Sequence, residues 1–290
     1  VRSFAAVRWL PLLLLLSACS ETSVRALTFD RTALVTGDFD NVDVLVDDLQ
    51  GEILEVVELH AYDGYIAGPA LDQAVAAPEL TVEALLADEG LRTLSDYHAL
   101  FLPCGMRGVG EHRYDDGGPD DHLILDVDTL RRLRDAVRDG LHLYVSDWSY
   151  EWIQVVWPEA ATWVGDGGLD DAQVGLAGGL EAYVVDEALA EALGRSPGDA
   201  IELRMTQSSW ATPATVGDGV EVLVAADVQI EDPVSGVPRW QTDVPLAFHL
   251  ADGDGRVVFT AFHHEAQVGP DGEVLLQRLL ALMANRASTN

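Results

Sequence analysis

The 290-residue chain contains no lysine. Its 17 basic residues are all arginine, they face 49 acidic ones, and the formal charge is −32. Such a surface repels phosphate backbones and anionic headgroups, which excludes nucleic acid as a partner. It attracts cations, although solubility alone accounts for such a balance. Cysteine is almost absent, with only Cys19 and Cys104. No long apolar run is present either, since Leu10–Leu16 is too short to span a bilayer well. A sequence repeat and a clear linker are also missing, so one domain with an elaborated second half is expected. At 48% hydrophobic residues the chain has the material for a core and is not disordered.

The start reads as an export signal. Arg2 and Arg8 precede the apolar run, and Ser17-Ala18-Cys19 follows it. A basic segment, a short apolar segment and small residues before a cut site make a secretory leader. Leu16-Ser17-Ala18-Cys19 resembles the bacterial lipobox. That resemblance implies a leader over 1–18, cleavage before Cys19 and lipid on its thiol. The membrane is then a partner through that lipid. Ser20, rather than Asp, after the cysteine favours the outer membrane over the inner. A lipidated Cys19 also rules out an intramolecular disulfide, so the fold must rest on its core. Residues 19–31 are expected to be a tether, and 32–290 the folded domain.

Along that domain, strands are expected at Thr32–Gly37, Glu55–His60, His98–Pro103 and Leu141–Ser146. Helical periodicity falls at Val42–Leu49 and Leu80–Leu94, the second with Thr81 as a cap. A further helix is expected with Asp128 as cap, Val127, Leu130, Leu133 and Val137 on one side, and Gly140 at its end. Asp147-Trp148-Ser149 turns into another, which Pro158 stops. Alternating apolar strands and helices predict an α/β fold, a flavodoxin-like mostly parallel sheet with helices on both faces. The second half adds strands at Ala182–Asp186, Ala200–Thr206, Val220–Ala226, Val244–Leu250 and Arg256–Phe262. The last two flank a hairpin turn at Ala251–Gly255. A short helix falls at Glu187–Leu193, and Glu273–Asn285 closes the chain as a helix. Glu159–Gly179 reads as loop.

The chain is organised around Gly255–Glu265, an apolar strand that ends in His263, His264 and Glu265. Two other strands run to the same rim. Tyr97–Gly105 ends in Pro103-Cys104-Gly105, and Gly140–Ser149 ends in Ser146-Asp147-Trp148-Ser149. Together these stretches resemble the class I glutamine amidotransferase-like superfamily, including its trehalose-utilisation-type branch. The likeness runs over about 32–158 and 244–286, leaving an insertion at about 159–243 that matches nothing. It implies an oxyanion loop at Cys104, a nucleophile elbow at Asp147, and a base with its orienting acid at His263 and Glu265. The family's nucleophilic cysteine is absent from the elbow. Aspartate cannot replace a thiolate in amide transfer, so glutamine amidotransferase activity is not expected.

Each group also has a plain reading. His263 and Glu265 can simply brace loops. Cys104 can be a buried small hydrophobe. Ser146 and Ser149 suggest a serine hydrolase, but Gly-x-Ser-x-Gly is missing. Asp147 and Glu151 with His263 or Glu265 could take a divalent ion or serve glycoside hydrolysis, yet no ligand spacing is diagnostic. The acidic loop Asp115–Asp121 does not follow the EF-hand pattern. Trp148, Trp152 and Trp157 form either a sugar platform or helix core. No cofactor and no metal are implied. Two functions remain. One is a binding or structural lipoprotein that holds a small molecule, a glycan or an envelope protein at the rim. The other is an envelope hydrolase of sugars or esters built on His263 and Glu265.

Overall fold

The computed structural model describes residues 27–37, 54–62, 64, 81–106, 108–109, 122–123, 126–165, 172–263 and 271–285. Cys19, the expected helix at Val42–Leu49, the acidic loop Asp115–Asp121, His264 and Glu265 lie outside the described residues. In chain order the strands begin with β1 (Leu27–Val35), β2 (Leu54–Tyr62), β3 (Ala99–Leu102), β4 (Gly108–Val109), β5 (His122–Leu123) and β6 (His142–Ser146). The next are β7 (Ala161–Trp163), β8 (Gln173–Gly175), β9 (Gly178–Val184), β10 (Ala200–Met205) and β11 (Trp210–Ala211). Last come β12 (Pro213–Val216), β13 (Val220–Glu231), β14 (Pro238–Asp252) and β15 (Gly255–Thr260). The α-helices are α1 (Val82–Leu86), α2 (Val127–Arg138), α3 (Tyr150–Val156), α4 (Glu187–Ala192) and α5 (Gly272–Asn285). Among the described residues, no helix is long and apolar enough to cross a membrane.

The main sheet runs β10-β9-β13-β14-β15-β6-β3-β1-β2. Its last five strands, β15 to β2, are mutually parallel. Numbered among themselves along the chain, those five lie in the order 2-1-3-4-5, the flavodoxin-like order. From β15 outward every pairing is antiparallel. The fold is thus a mixed α/β sheet with a mostly parallel core and extra strands. All residues of β3 and β6 are buried. Successive side chains of a strand point to opposite faces, so both faces of the sheet are covered there. α2 packs on β15 with α3 and α1 as neighbours, and α5 packs on β1 and β15 beside α4.

Several local expectations need correction. β1 begins at Leu27, inside the span expected as tether. The cap of α2 is Asp126, whose side chain accepts from Thr129 N at 2.7 Å, and not Asp128. Val127 accordingly sits at the helix mouth, 77% exposed, while Thr129, Leu133, Ala136 and Val137 make the buried face. Gly140 follows that helix with φ +116, a conformation that glycine adopts without strain. Glu159–Gly179 is not simply loop, because β7, β8 and the start of β9 lie in it. The hairpin of β13 and β14 is longer than its apolar centre: the outer half of β13 alternates buried Val228 and Ile230 with exposed Asp227, Gln229 and Glu231, while none of residues 238–243 of β14 is buried. In the middle, Phe248 stacks on Phe259 at 5.0 Å and Trp163 meets Phe259 edge-on at 5.0 Å. Such ring pairs add about 0.5–1.5 kcal/mol each beyond the area they bury.

Candidate functional site

In an open parallel sheet the carboxyl ends of the strands form the natural crevice, near the point where strand order reverses. Here that rim carries the ends of β1, β3, β6 and β15. β3 runs into Pro103-Cys104-Gly105, with Gly105 at φ +83 turning the chain. Gly37, after β1, has no room for a side chain, because a Cβ there would overlap the Cys104 carbonyl oxygen. Two serines brace this turn, one from the end of β6 and one from the turn after it. Ser146 Oγ accepts from Cys104 N at 2.9 Å, and Ser149 Oγ donates to the Pro103 carbonyl at 2.6 Å. Both hydroxyls are buried, so they serve as supports of the Cys104 turn.

Asp147 occupies the turn between β6 and α3. Its φ is +44, a region that aspartate tolerates better than most residues but still at a cost. The strain places its carboxylate inward at 2% exposure. Oδ1 accepts from Ala211 N at 2.6 Å. Oδ2 faces Cys104 Sγ at 3.7 Å and His263 Nε2 at 3.7 Å. His263 arrives from β15 through a braced end: Thr260 Oγ1 donates to the Phe262 carbonyl at 2.6 Å and meets Tyr144 OH at 2.9 Å. Thiol, carboxylate and imidazole offer donor atoms that all lie within 4.8 Å of one another, each residue buried.

The structure therefore brings together Cys104, Asp147 and His263. Glu151 is buried in α3 but is not part of that cluster. Trp152 and Trp157 are fully buried, which makes them core of α3 and its exit and not a sugar platform. Trp148 is only partly covered, and its Nε1 donates to the Ser209 carbonyl at 2.6 Å. Ala211 had no signal in the sequence. It acts through its backbone N–H, which every residue but proline carries. The only local hint is Gly175, where a Cβ would overlap the Trp210 ring and so prevent β11 from lying on β8.

The segment 159–243 thus closes over the elbow. Ala211 N reaches Asp147, Ser209 receives Trp148, and Ala172 N donates to Tyr150 OH at 3.1 Å. In a cysteine–histidine catalytic pair the imidazole approaches the thiol to about 3 Å, or a little more before substrate binds. Here Asp147 Oδ2 is the acceptor for the Cys104 thiol. Thiol, carboxylate and imidazole thus form a buried three-donor cluster.

No family model and no curated protein matches the chain. Solved structures do align with it. A ThuA-like protein from Parabacteroides merdae shares 13% identity, with 92% of each chain covered and a TM-score of 0.48. A GMP synthase subunit from Thermoplasma acidophilum shares 11%, covering 89% of this chain and 96% of its own, at 0.46. PurLQS from Thermotoga maritima shares 14%, covering 88% and 99%, at 0.46. These likenesses are distant, and it is the strand order that defines the fold.

Proposed function

We propose that the chain is a lipid-anchored bacterial envelope protein with an amidotransferase-like domain that has lost its nucleophile and serves a binding or structural role. The observation that carries this reading is Asp147. At the elbow, where the resemblance calls for a cysteine, stands a carboxylate whose Oδ1 is bound to Ala211 N of the insertion. A nucleophile must be reachable by substrate, and this group is 2% exposed. The elbow geometry is retained, but it now fastens one part of the chain to another. The partner is then a small molecule, a glycan or an envelope protein at the rim. The anchor is lipid on Cys19, in the outer membrane by preference.

Two measurements test this reading. Ammonia release from glutamine is expected to be indistinguishable from buffer, and turnover that disappears in His263→Ala would overturn the loss of catalysis. Mass analysis of the mature protein is expected to show residues 1–18 gone and Cys19 acylated. An unmodified Cys19 would remove the anchor.

The second reading is an envelope hydrolase of sugars or esters built on His263 and Glu265. The strained φ of Asp147 with His263 3.7 Å away favours it, because strained residues cluster at reacting centres. A panel of model esters and glycosides decides between the two. Hydrolysis abolished in folded His263→Ala would establish the enzyme.

A further inference from the structure

Cys104, Asp147 and His263 come from three different strands of the sheet, so no sequence spacing announces them as a set. We propose that they form a site for one transition-metal ion, with Zn²⁺ the best match. Cys104 Sγ, Asp147 Oδ2 and His263 Nε2 would be the ligands.

The geometry about the carboxylate is close to that of a bound site. Zinc–ligand bonds of roughly 2.0–2.3 Å at tetrahedral angles place sulfur, oxygen and nitrogen donors about 3.3–3.6 Å apart. The two separations from Asp147 Oδ2 are both 3.7 Å, and all three donors lie within 4.8 Å. Closing the cluster on an ion needs shifts of only a few tenths of an ångström about the carboxylate. The donor types also select. A thiolate and an imidazole favour zinc-like ions over Mg²⁺ or Ca²⁺, which require oxygen ligands. Burial of all three residues limits competition from bulk solvent, and a water would complete the fourth position of a tetrahedral ion.

The second layer fits as well. Ligating carboxylates are usually held by an outer hydrogen bond, and Ala211 N supplies one to Oδ1 while leaving Oδ2 toward the donors. Cys104 is fixed by its own N–H on Ser146, and the turn before His263 by Thr260. The three residues thus sit on a rigid frame, as a preformed site requires. Binding replaces the thiol S–H bond with a sulfur–metal bond. The proton leaves to buffer and nothing is oxidised or reduced. The inference does not depend on the envelope reading, since a structural ion and a catalytic ion would share these ligands.

Cobalt(II) titration of the full mature chain tests it. The expected result is one ion per chain with a near-ultraviolet thiolate-to-cobalt band, displaced by an equimolar amount of Zn²⁺, and one proton released per ion. The band should survive Cys19→Ser and vanish in Cys104→Ser. His263→Gln should weaken affinity about 100-fold or more, by analogy with the loss seen when even outer partners are removed. Circular dichroism of each variant separates lost binding from lost fold. The wild-type band and stoichiometry stand by themselves if a variant does not fold. Weak binding of several ions without a thiolate band would mean surface carboxylates only and would overturn the site. A band that persists in Cys104→Ser would do the same.

Discussion

Two aspartates sit at opposite ends of the same parallel strands. Asp252 lies at the hairpin entering β15, and Asp147 at the exit of β6. Asp252 is held by permanent cations and an indole. Arg134 Nε and Arg138 Nε donate to it at 3.0 and 2.9 Å, and Trp157 Nε1 at 2.8 Å. Burial alone would raise its carboxyl, but Trp157, Arg138 and Arg134 outweigh that and keep it below the usual range. Asp147 has a backbone N–H, a thiol and an imidazole. Arginine cannot give up its proton at any working pH, whereas a thiol can and an imidazole can bind as the neutral base. The lower carboxylate is therefore a fixed joint. The upper one is surrounded by groups whose charge can be exchanged for that of an ion.

The largest effect is expected where the lower joint is tightest. A Cβ at Gly255 would overlap the carbonyl oxygens of Val137 and Leu141, which are backbone atoms that cannot swing away. Gly255→Ala should cost about 3 kcal/mol or more, read by urea unfolding. A loss below 1 kcal/mol would mean that the turn is not packed on the end of α2. Next comes Asp252→Ala, which leaves the Trp157 N–H without its acceptor and takes one partner from each of two guanidinium groups, Arg134 keeping Glu159 and the Val156 carbonyl and Arg138 keeping Asp135. Its expected cost is about 2–3 kcal/mol, since Arg134 and Asp252 are largely covered while Arg138 is half exposed. A neutral result would place Asp252 among the surface ion pairs that contribute nothing measurable.

This contrast also explains what the sequence could tell. β3 and the centres of β6 and β15 are apolar runs because they are covered on both faces, and such runs are legible. α5 was legible from its leucine spacing, with Leu275, Leu276, Leu279 and Leu280 buried as expected. The insertion was not. β7, β8 and β11 are two or three residues long, too short for a period to show. In the long hairpin the outer half of β14 buries none of residues 238–243, so only the hairpin's centre was read. At the site, Cys104, Asp147 and His263 were singled out by their position at strand ends. That placed them at one rim; the close approach of their donor atoms was not legible, and neither was the backbone N–H of Ala211 that pins Asp147.

A pH test sharpens the lower rim further. His142 opens β6, and burial, then Arg256, then His98 push its imidazole down to about 4. The folded protein therefore keeps it neutral while the unfolded chain protonates it near 6.5. The unfolded state binds the extra proton between those values, so stability should fall as pH drops from about 6.5 toward 4. The contribution is at most about 3 kcal/mol at the lower end. His142→Phe should flatten that part of the profile. An unchanged slope would assign the acid sensitivity to other groups.

The smallest effect on stability, and the most informative, is expected from Asp147→Asn. An amide oxygen can still accept from Ala211 N, so the clamp on the insertion survives. Without metal the loss should stay within about 1 kcal/mol, the size of one weakened hydrogen bond. Asp252→Asn should cost more, because there the charge itself faces two guanidiniums. Added Zn²⁺ should reverse the order at the upper rim. It should raise the melting temperature of the wild type and of Asp252→Asn, but scarcely that of Asp147→Asn, since an ion stabilises only the state that binds it. Equal shifts in all three would mean that Asp147 is not a ligand. In that case the two carboxylates would be the same kind of joint after all, one built on cations and the other on a backbone N–H.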